Sequence, residues 1–192
     1  MWLMHLMRVF VAVLVCVLSI DAYADEQPLQ LYEQKIKAGL VYNLLKYTEW
    51  PNISAAQHDK PAENSTKLQI CLLGDDPFDG YLSPLEGRTA QQATITITHI
   101  TQVQQTESCN AVIIHRNQAH QLHQLLQFLR GKNVLTISDI AQFAEQGGMI
   151  EMTRQDEKIA LHINKDSLDS AKLNIDARML KLATIVSDKG GA

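Results

Sequence analysis

Cysteine is scarce in this chain: three in 192 residues, at positions 16, 71 and 109. No two are spaced as C-x-x-C, so the sequence lacks the dithiol pattern of a thiol oxidoreductase. Positive charge is not in excess. Seventeen Lys and Arg stand against 21 Asp and Glu, for a net charge of −4. That balance argues against a nucleic-acid face, which needs a basic surface, and it supplies no polybasic patch for a membrane. Long apolar runs are missing beyond the N-terminus, so no later segment reads as a membrane span. No glycine-rich fingerprint with a following Lys-Ser/Thr cradles a phosphate, and no G-x-S-x-G turn presents a serine nucleophile. There is no internal repeat and no low-complexity tract. With no catalytic constellation on view, the reading is of a protein that is not an enzyme and uses no cofactor or metal.

What is present begins with a leader. Arg8 precedes an apolar run, Val9 to Ile20, of about a dozen residues, and Ala22-Tyr23-Ala24 is a small-x-small cleavage site. Residues 1–24 therefore read as a signal peptide that is removed; the run is short for the competing reading, a membrane anchor. Residues 25–192 remain as one exported domain, long enough to bury a proper core. Cys16 leaves with the leader, and the remaining pair, Cys71 and Cys109, reads as a disulfide in an oxidising compartment. Closing that loop is worth about 4 kcal/mol on chain-entropy arithmetic.

The pattern alternates strand and helix. KLQICLLG (67–74) is a buried strand with a glycine exit, and DPFDGYLSPLEG reads as a short helix and turn. ATITITHI (93–100) alternates with period two, and NAVIIH (110–115) is a continuous apolar strand. QAHQLHQLLQFLR (118–130) is an amphipathic helix with Leu122, Leu125, Leu126 and Leu129 on one side, capped by Gly131. NVLTISD (133–139) is a strand whose Asp139 N-caps a helix, IAQFAEQ. After Gly147-Gly148 come MIEMTR and KIALHIN, a hairpin turning at Gln155-Asp156-Glu157. The tail reads as helix with a break near Asn174. The polar stretch 52–66 reads as a loop. These elements predict a three-layer α/β domain of flavodoxin-like or Rossmann-like type. Its sheet is mostly parallel, with helices on both faces and an antiparallel edge hairpin.

Several motifs could carry chemistry. Gly74-Asp75-Asp76 follows a strand, where open α/β sheets bind ligands. Two acids there could hold Mg²⁺, but Asp76 before Pro77 is better read as an N-cap. His115, His120 and His123 have a spacing at which zinc is conceivable, yet no acid or cysteine completes the set.

The helix containing KAGLVYNLLKYTEWP (37–51) is more informative. Ile36, Leu40, Asn43 and Tyr47 share one side, and Val41 and Leu45 the opposite one. The first side, with Gly39, reads as close packing inside the domain, where Asn43 would need a hydrogen bond. A helix apolar on two sides needs two things to pack against. The second is a helix of the same domain or a partner protein. Trp50, before the helix-ending Pro51, is read both as an interface anchor and as a plug at the rim of the core. Trp50, Tyr42, Val41 and Leu45 are the expected partner-binding residues, with Ile150 and Met152 of the Gly147–Met152 segment beside them.

At these residues the sequence resembles the YfiR family of periplasmic proteins. The resemblance rests on the leader, on K-A-G-L-V-Y-N-L-L-K-Y-T-E-W-P, on I-C-L-L-G-D-D-P-F, on S-C-N-A-V-I-I-H, and on G-G-M-I-E-M before I-A-L-H-I-N and L-K-L-A-T-I-V. It implies a periplasmic regulator that binds the periplasmic sensor domain of an inner-membrane diguanylate cyclase of YfiN type. Such binding lowers cyclic di-GMP and biofilm formation. It further implies sequestration by an outer-membrane lipoprotein of YfiB type and a homodimer. The Cys71–Cys109 pair carries over. Some members carry a second cysteine pair flanking the Gly-Gly turn, where this chain has Ala144-Glu145 and Glu151-Met152; a two-disulfide switch is not expected here. A reading of another class is a small-ligand module at the strand ends, Gly74 to Phe78, acting with another membrane signalling protein.

Overall fold

A computed structural model describes residues 26–51, 53 and 66–188. The expected leader, most of the 52–66 loop and the last four residues lie outside them. The chain divides into two compact units, Met1–Glu33 and Gln34–Ala192. Of the first, residues 26–33 are described and are helical; the sheet and both of its cores belong to the second. Among the described residues no helix is long and apolar enough to cross a membrane.

Helix α1 (Glu26–Tyr47) leads into a two-residue strand, β1 (Thr48–Glu49). The main sheet contains β2 (Lys67–Leu73), β3 (Thr89–Ala90), β4 (Ala93–Ile100), β5 (Ala111–Ile114), β6 (Leu135–Ser138), β7 (Ile150–Gln155), β8 (Lys158–Asn164) and β10 (Thr184–Val186). Helix α2 (Leu122–Leu129) joins β5 to β6. The C-terminal part holds α3 (Lys165–Ser170), β9 (Asn174–Ile175), which pairs with β1, and α4 (Ala177–Leu180).

The strand order is β10-β8-β7-β6-β5-β2-β4-β3. Its centre, β4-β2-β5-β6-β7, is parallel throughout. Numbered along the chain these five strands run 2-1-3-4-5, the flavodoxin-like order. The expected α/β fold with a mostly parallel sheet and an antiparallel hairpin is what the chain adopts. The hairpin β7–β8 turns at Asp156, whose φ is 56°. It does not form the sheet edge, because β10 adds in parallel beyond β8. Thr184-Ile185-Val186, read as part of a helical tail, is thus a strand, as its β-branching favours.

Both faces of the sheet are covered, which explains the continuous apolar runs of β5 and β6. Leu68, Ile70, Leu72, Ile113, Ile137 and Ile163 face a core closed by α1, Phe78, Leu82 and Met179. Leu73, Val112 and Ile114 face the opposite core with Phe143 and the α2 leucines Leu122, Leu125, Leu126 and Leu129. The same second face carries the Cys71–Cys109 disulfide, with a Cα–Cα distance of 6.0 Å.

DPFDGYLSPLEG, read as a short helix and turn, forms turns and a short 3-10 helix (Ser83–Leu85). One local expectation is corrected. IAQFAEQ is a series of turns. Gln142 takes a φ of 61°, which no helix accepts, and Asp139 is an ion-pair partner rather than a cap. The Ser138 hydroxyl accepts from the Ile140 amide instead.

Candidate functional site

The two sides of α1 are assigned by burial, and the assignment reverses part of the sequence reading. Lys37, Ala38, Val41, Leu44 and Leu45 are buried. Gly39 and Asn43 are exposed, and a Cβ added at Gly39 meets nothing within 4 Å. The sheet therefore takes the Val41–Leu45 side. Asn43, expected in a packed interior, faces water and needs no buried partner. Trp50 is 1% exposed, and its Nε1 donates to the Asn110 carbonyl at 3.0 Å. The Asn110 side chain in turn accepts from the Gln69 amide at 2.8 Å. Trp50 is thus core, joined to the start of β5, and not an exposed anchor. Ile150 and Met152 are buried on β7. Of the six residues expected at a partner surface, five (Trp50, Val41, Leu45, Ile150, Met152) lie inside. Tyr42 alone reaches the surface, half-buried.

Around Tyr42 the structure assembles a patch that the sequence did not announce. The Arg88 guanidinium lies 5.6 Å from the Tyr42 ring centre, and Lys46 Nζ lies 5.7 Å from the rings of both Tyr42 and Tyr47. Arg178 covers the other end, 4.6 Å from the Tyr47 ring. Cations and aromatic faces attract at such distances. Three supports fix the row. Gln91 Nε2 donates to the Lys46 carbonyl at 2.6 Å, the Asp176 amide donates to the Tyr47 carbonyl at 2.8 Å, and β1 pairs with β9. Arg178 is held by the Asp176 carboxylate at 2.8 Å. That hydrogen bond is the main cause lowering the Asp176 carboxyl from 3.8 to about 2. Arg88, Lys46 and Arg178 are exposed. Arg88 and Arg178 come from segments far from α1 in sequence; Tyr42 was the one signal available.

The carboxyl ends of the central strands are closed by side chains. A Cβ added at Gly74, whose φ is 91°, would sit 2.5 Å from Asn117 Oδ1. The Asn117 amide also donates to Asp75 at 2.9 Å. Asp76 accepts from the Phe78 and Gly80 amides at 2.9 and 2.8 Å; it closes a turn there instead of capping a helix, which begins only at Ser83. The expected ligand segment Gly74–Phe78 is therefore occupied by its own polar turn. Nearby, Lys37 from α1 meets Asp139 at 3.4 Å, both almost fully buried, and Arg116 approaches the same carboxylate oxygen. The histidines serve turns: His115 Nδ1 accepts from the Asn117 amide, and His123 contacts Gln127 on its own helix. Among the described residues no group of three or more His, Cys, Asp or Glu is placed to hold a metal.

The Gly-Gly turn is held by a buried carboxylate. Glu151 accepts from the Gln142 amide at 3.2 Å and from the Ala144 amide at 3.1 Å. Glu151 and Ala144 belong to the two flanks of the Gly-Gly turn, Ala144-Glu145 and Glu151-Met152, which hold no cysteine. His162, its cross-strand neighbour, lies 3.8 Å from the same carboxylate.

Comparison with known proteins bears on what these features serve. A search of curated proteins finds no match to the sequence. Among solved structures, the chain is similar to the ABC domain in complex with L-Trp from Streptococcus pneumonia, with 11% identity and a TM-score of 0.46 over 62% of this chain. The chain spans about half of that structure (55%). The sequence also matches the profile of YfiR/HmsC-like proteins over residues 34–184, which takes in both cores, the disulfide and the Tyr42 patch. The chain belongs to the YfiR/HmsC-like family, a family of periplasmic regulators of cyclic di-GMP signalling.

Proposed function

We propose that the protein binds the periplasmic sensor domain of an inner-membrane diguanylate cyclase and holds that cyclase inactive, lowering cyclic di-GMP and biofilm formation. In this reading the protein works without turnover, after a cleaved signal peptide has delivered it to the periplasm. It works as a homodimer that a YfiB-type outer-membrane lipoprotein can sequester. Family membership supports the class of function. The observation that carries the binding role is the row of exposed cations on half-buried tyrosines along the end of α1, Arg88–Tyr42–Lys46–Tyr47–Arg178. Arg and Tyr are the side chains that most often dominate interfaces. Here they are held in place before any partner arrives, which reduces the ordering cost of association. A basic row on a chain of net charge −4 also gives an acidic partner one preferred approach.

The test pairs binding with signalling. Tyr42→Ala and Arg88→Ala together should weaken binding to the cyclase's periplasmic domain by about 2 kcal/mol or more and raise cyclic di-GMP in cells. Arg88 is exposed and its loss should leave the melting temperature near the wild-type value, whereas Tyr42 packs half-buried against the core, so affinity is compared at a temperature where the double variant is fully folded. Wild-type cyclic di-GMP levels in a strain lacking the protein would refute the inhibitory role. Normal binding by the double variant would refute the assigned surface.

A further inference from the structure

A groove of about 640 Å³ opens between α2, the 142–147 turn and α3. It exists because the β6–β7 crossover is not a helix. In a three-layer fold each crossover helix covers part of a face; without one here, none of the described residues fills the space beside Thr136 and Met149 on the flank of α2. The groove cannot close by collapse of the turn, because that wall is pinned from several sides. Glu151 holds the Gln142 and Ala144 amides. Asn164 Nδ2 donates to the Ala144 carbonyl at 2.7 Å, and Ser167 Oγ to the Gly147 carbonyl at 2.9 Å. The Met149 amide donates to Thr136 Oγ1 at 3.0 Å. The Phe143 ring presses on Gly148 so closely that an added Cβ would lie 2.1 Å from it.

We propose that this groove is a preformed site for a small organic amine, a protonated amino group carried on an apolar body. The volume falls in the usual range of small-ligand sites. Leu126, Leu129 and Met149, all buried, supply an apolar lining. Glu145, Asp166 and Asp188 line it as well, three carboxylates beside the Arg130 guanidinium and the His123 ring; one Asp188 oxygen accepts from Asn164 Nδ2. That excess favours a cation and repels an anion. The acids are spread along the lining and do not converge on a point: among the described residues no cluster is placed to hold a metal. Distributed charge over an apolar floor suits an organic cation better than a bare ion. This inference is independent of the cyclase interaction, and the groove shares no residue with the Tyr42 patch.

The test uses the protein alone with three amine probes, phenethylamine, benzylamine and cyclohexylmethylamine, followed by NMR titration. Shifts should concentrate on the Met149 methyl and the amides of residues 142–147. Phenylpropionate and phenethyl alcohol should bind at least about fivefold more weakly than phenethylamine, the scale of one partly exposed ion pair. Asp166→Asn and Asp188→Asn should each lower amine affinity severalfold while the protein remains folded, Asp188→Asn keeping an oxygen that can accept from Asn164 Nδ2, and Glu157→Gln on the β7–β8 turn should leave the affinity unchanged. The proposal is overturned if the anion or the alcohol binds as well as the amine. Shifts that map elsewhere, or no binding by any of the three amines, overturn it too.

Discussion

Trp50→Ala removes one of the largest fully buried side chains in the domain and separates a core role from an interface role. Truncating a buried tryptophan costs about 3–5 kcal/mol, through lost burial and the cavity left behind. The lost hydrogen bond adds little, because the Asn110 carbonyl that receives the indole also accepts from the Leu135 amide at 2.8 Å and is not orphaned. Trp50→Phe keeps much of the volume and should cost only about 1–2 kcal/mol. With a urea m-value of about 2 kcal/mol/M, alanine should move the unfolding midpoint down by about 2 M and phenylalanine by less than 1 M. Circular dichroism is the suitable probe, since Trp50 and Trp2 are the two tryptophans of the chain and the variant removes the one in the domain. At temperatures where Trp50→Ala remains folded, its affinity for a cyclase sensor domain should equal the wild type. An unshifted midpoint combined with lost binding would refute the argument and return Trp50 to the surface.

Reduction, or Cys71→Ser, should lower stability by about 4 kcal/mol, seen as a fall in melting temperature; free-thiol titration of the denatured, unreduced protein should find no thiol from the Cys71–Cys109 pair. Glu151→Gln replaces one acceptor oxygen by a donor, leaves a buried backbone amide of the 142–144 turn without a partner, and should cost about 1–3 kcal/mol, read by urea unfolding. Asp176, lowered from 3.8 to about 2 by Arg178, contributes stability that is complete above pH 3.8 and is lost as pH falls through about 2. Carboxyl-carbon NMR should show this titration, and Arg178→Ala should return it towards 3.8.

Much of the architecture was legible because period-two and unbroken apolar patterns are local signals. Residues 93–100, 110–115 and 133–139 read as strands and are strands at their cores. The four leucines of α2 read as one face and are one face. What could not be read depended on distant partners. Helix α1 is apolar on two sides, and nothing local says which side meets the sheet. The buried side even contains Lys37, tolerated because Asp139, 102 residues away, comes to meet it. A rule that places charges outside would rotate the helix the wrong way, and with it Asn43. The IAQFAEQ segment failed as a helix for a similar reason. Its backbone amides are claimed by Glu151 from the next strand, which offers the chain an alternative to helical hydrogen bonding.

The Glu151 clasp changes what the Gly-Gly turn can sense. A disulfide across these flanks would tie the turn to the redox poise of its compartment. A carboxylate accepting two backbone amides does the same mechanical work without a bond that can be reduced. It also places the turn under the influence of its immediate polar neighbours, His162 at 3.8 Å and the Asn164 amide that holds the Ala144 carbonyl. In this chain the Cys71–Cys109 bond staples one side of the sheet, while the turn that walls the groove is held by hydrogen bonds and by the buried Phe143 ring. Reduction leaves the hydrogen bonds of the turn intact, but it acts on the core that Phe143, Leu126 and Leu129 share with the two cysteines. A ligand in the groove would act on the turn directly. Asn164 and Ser167 tie that wall to the end of β8 and the start of α3, so a ligand there would touch the turn and α3 together.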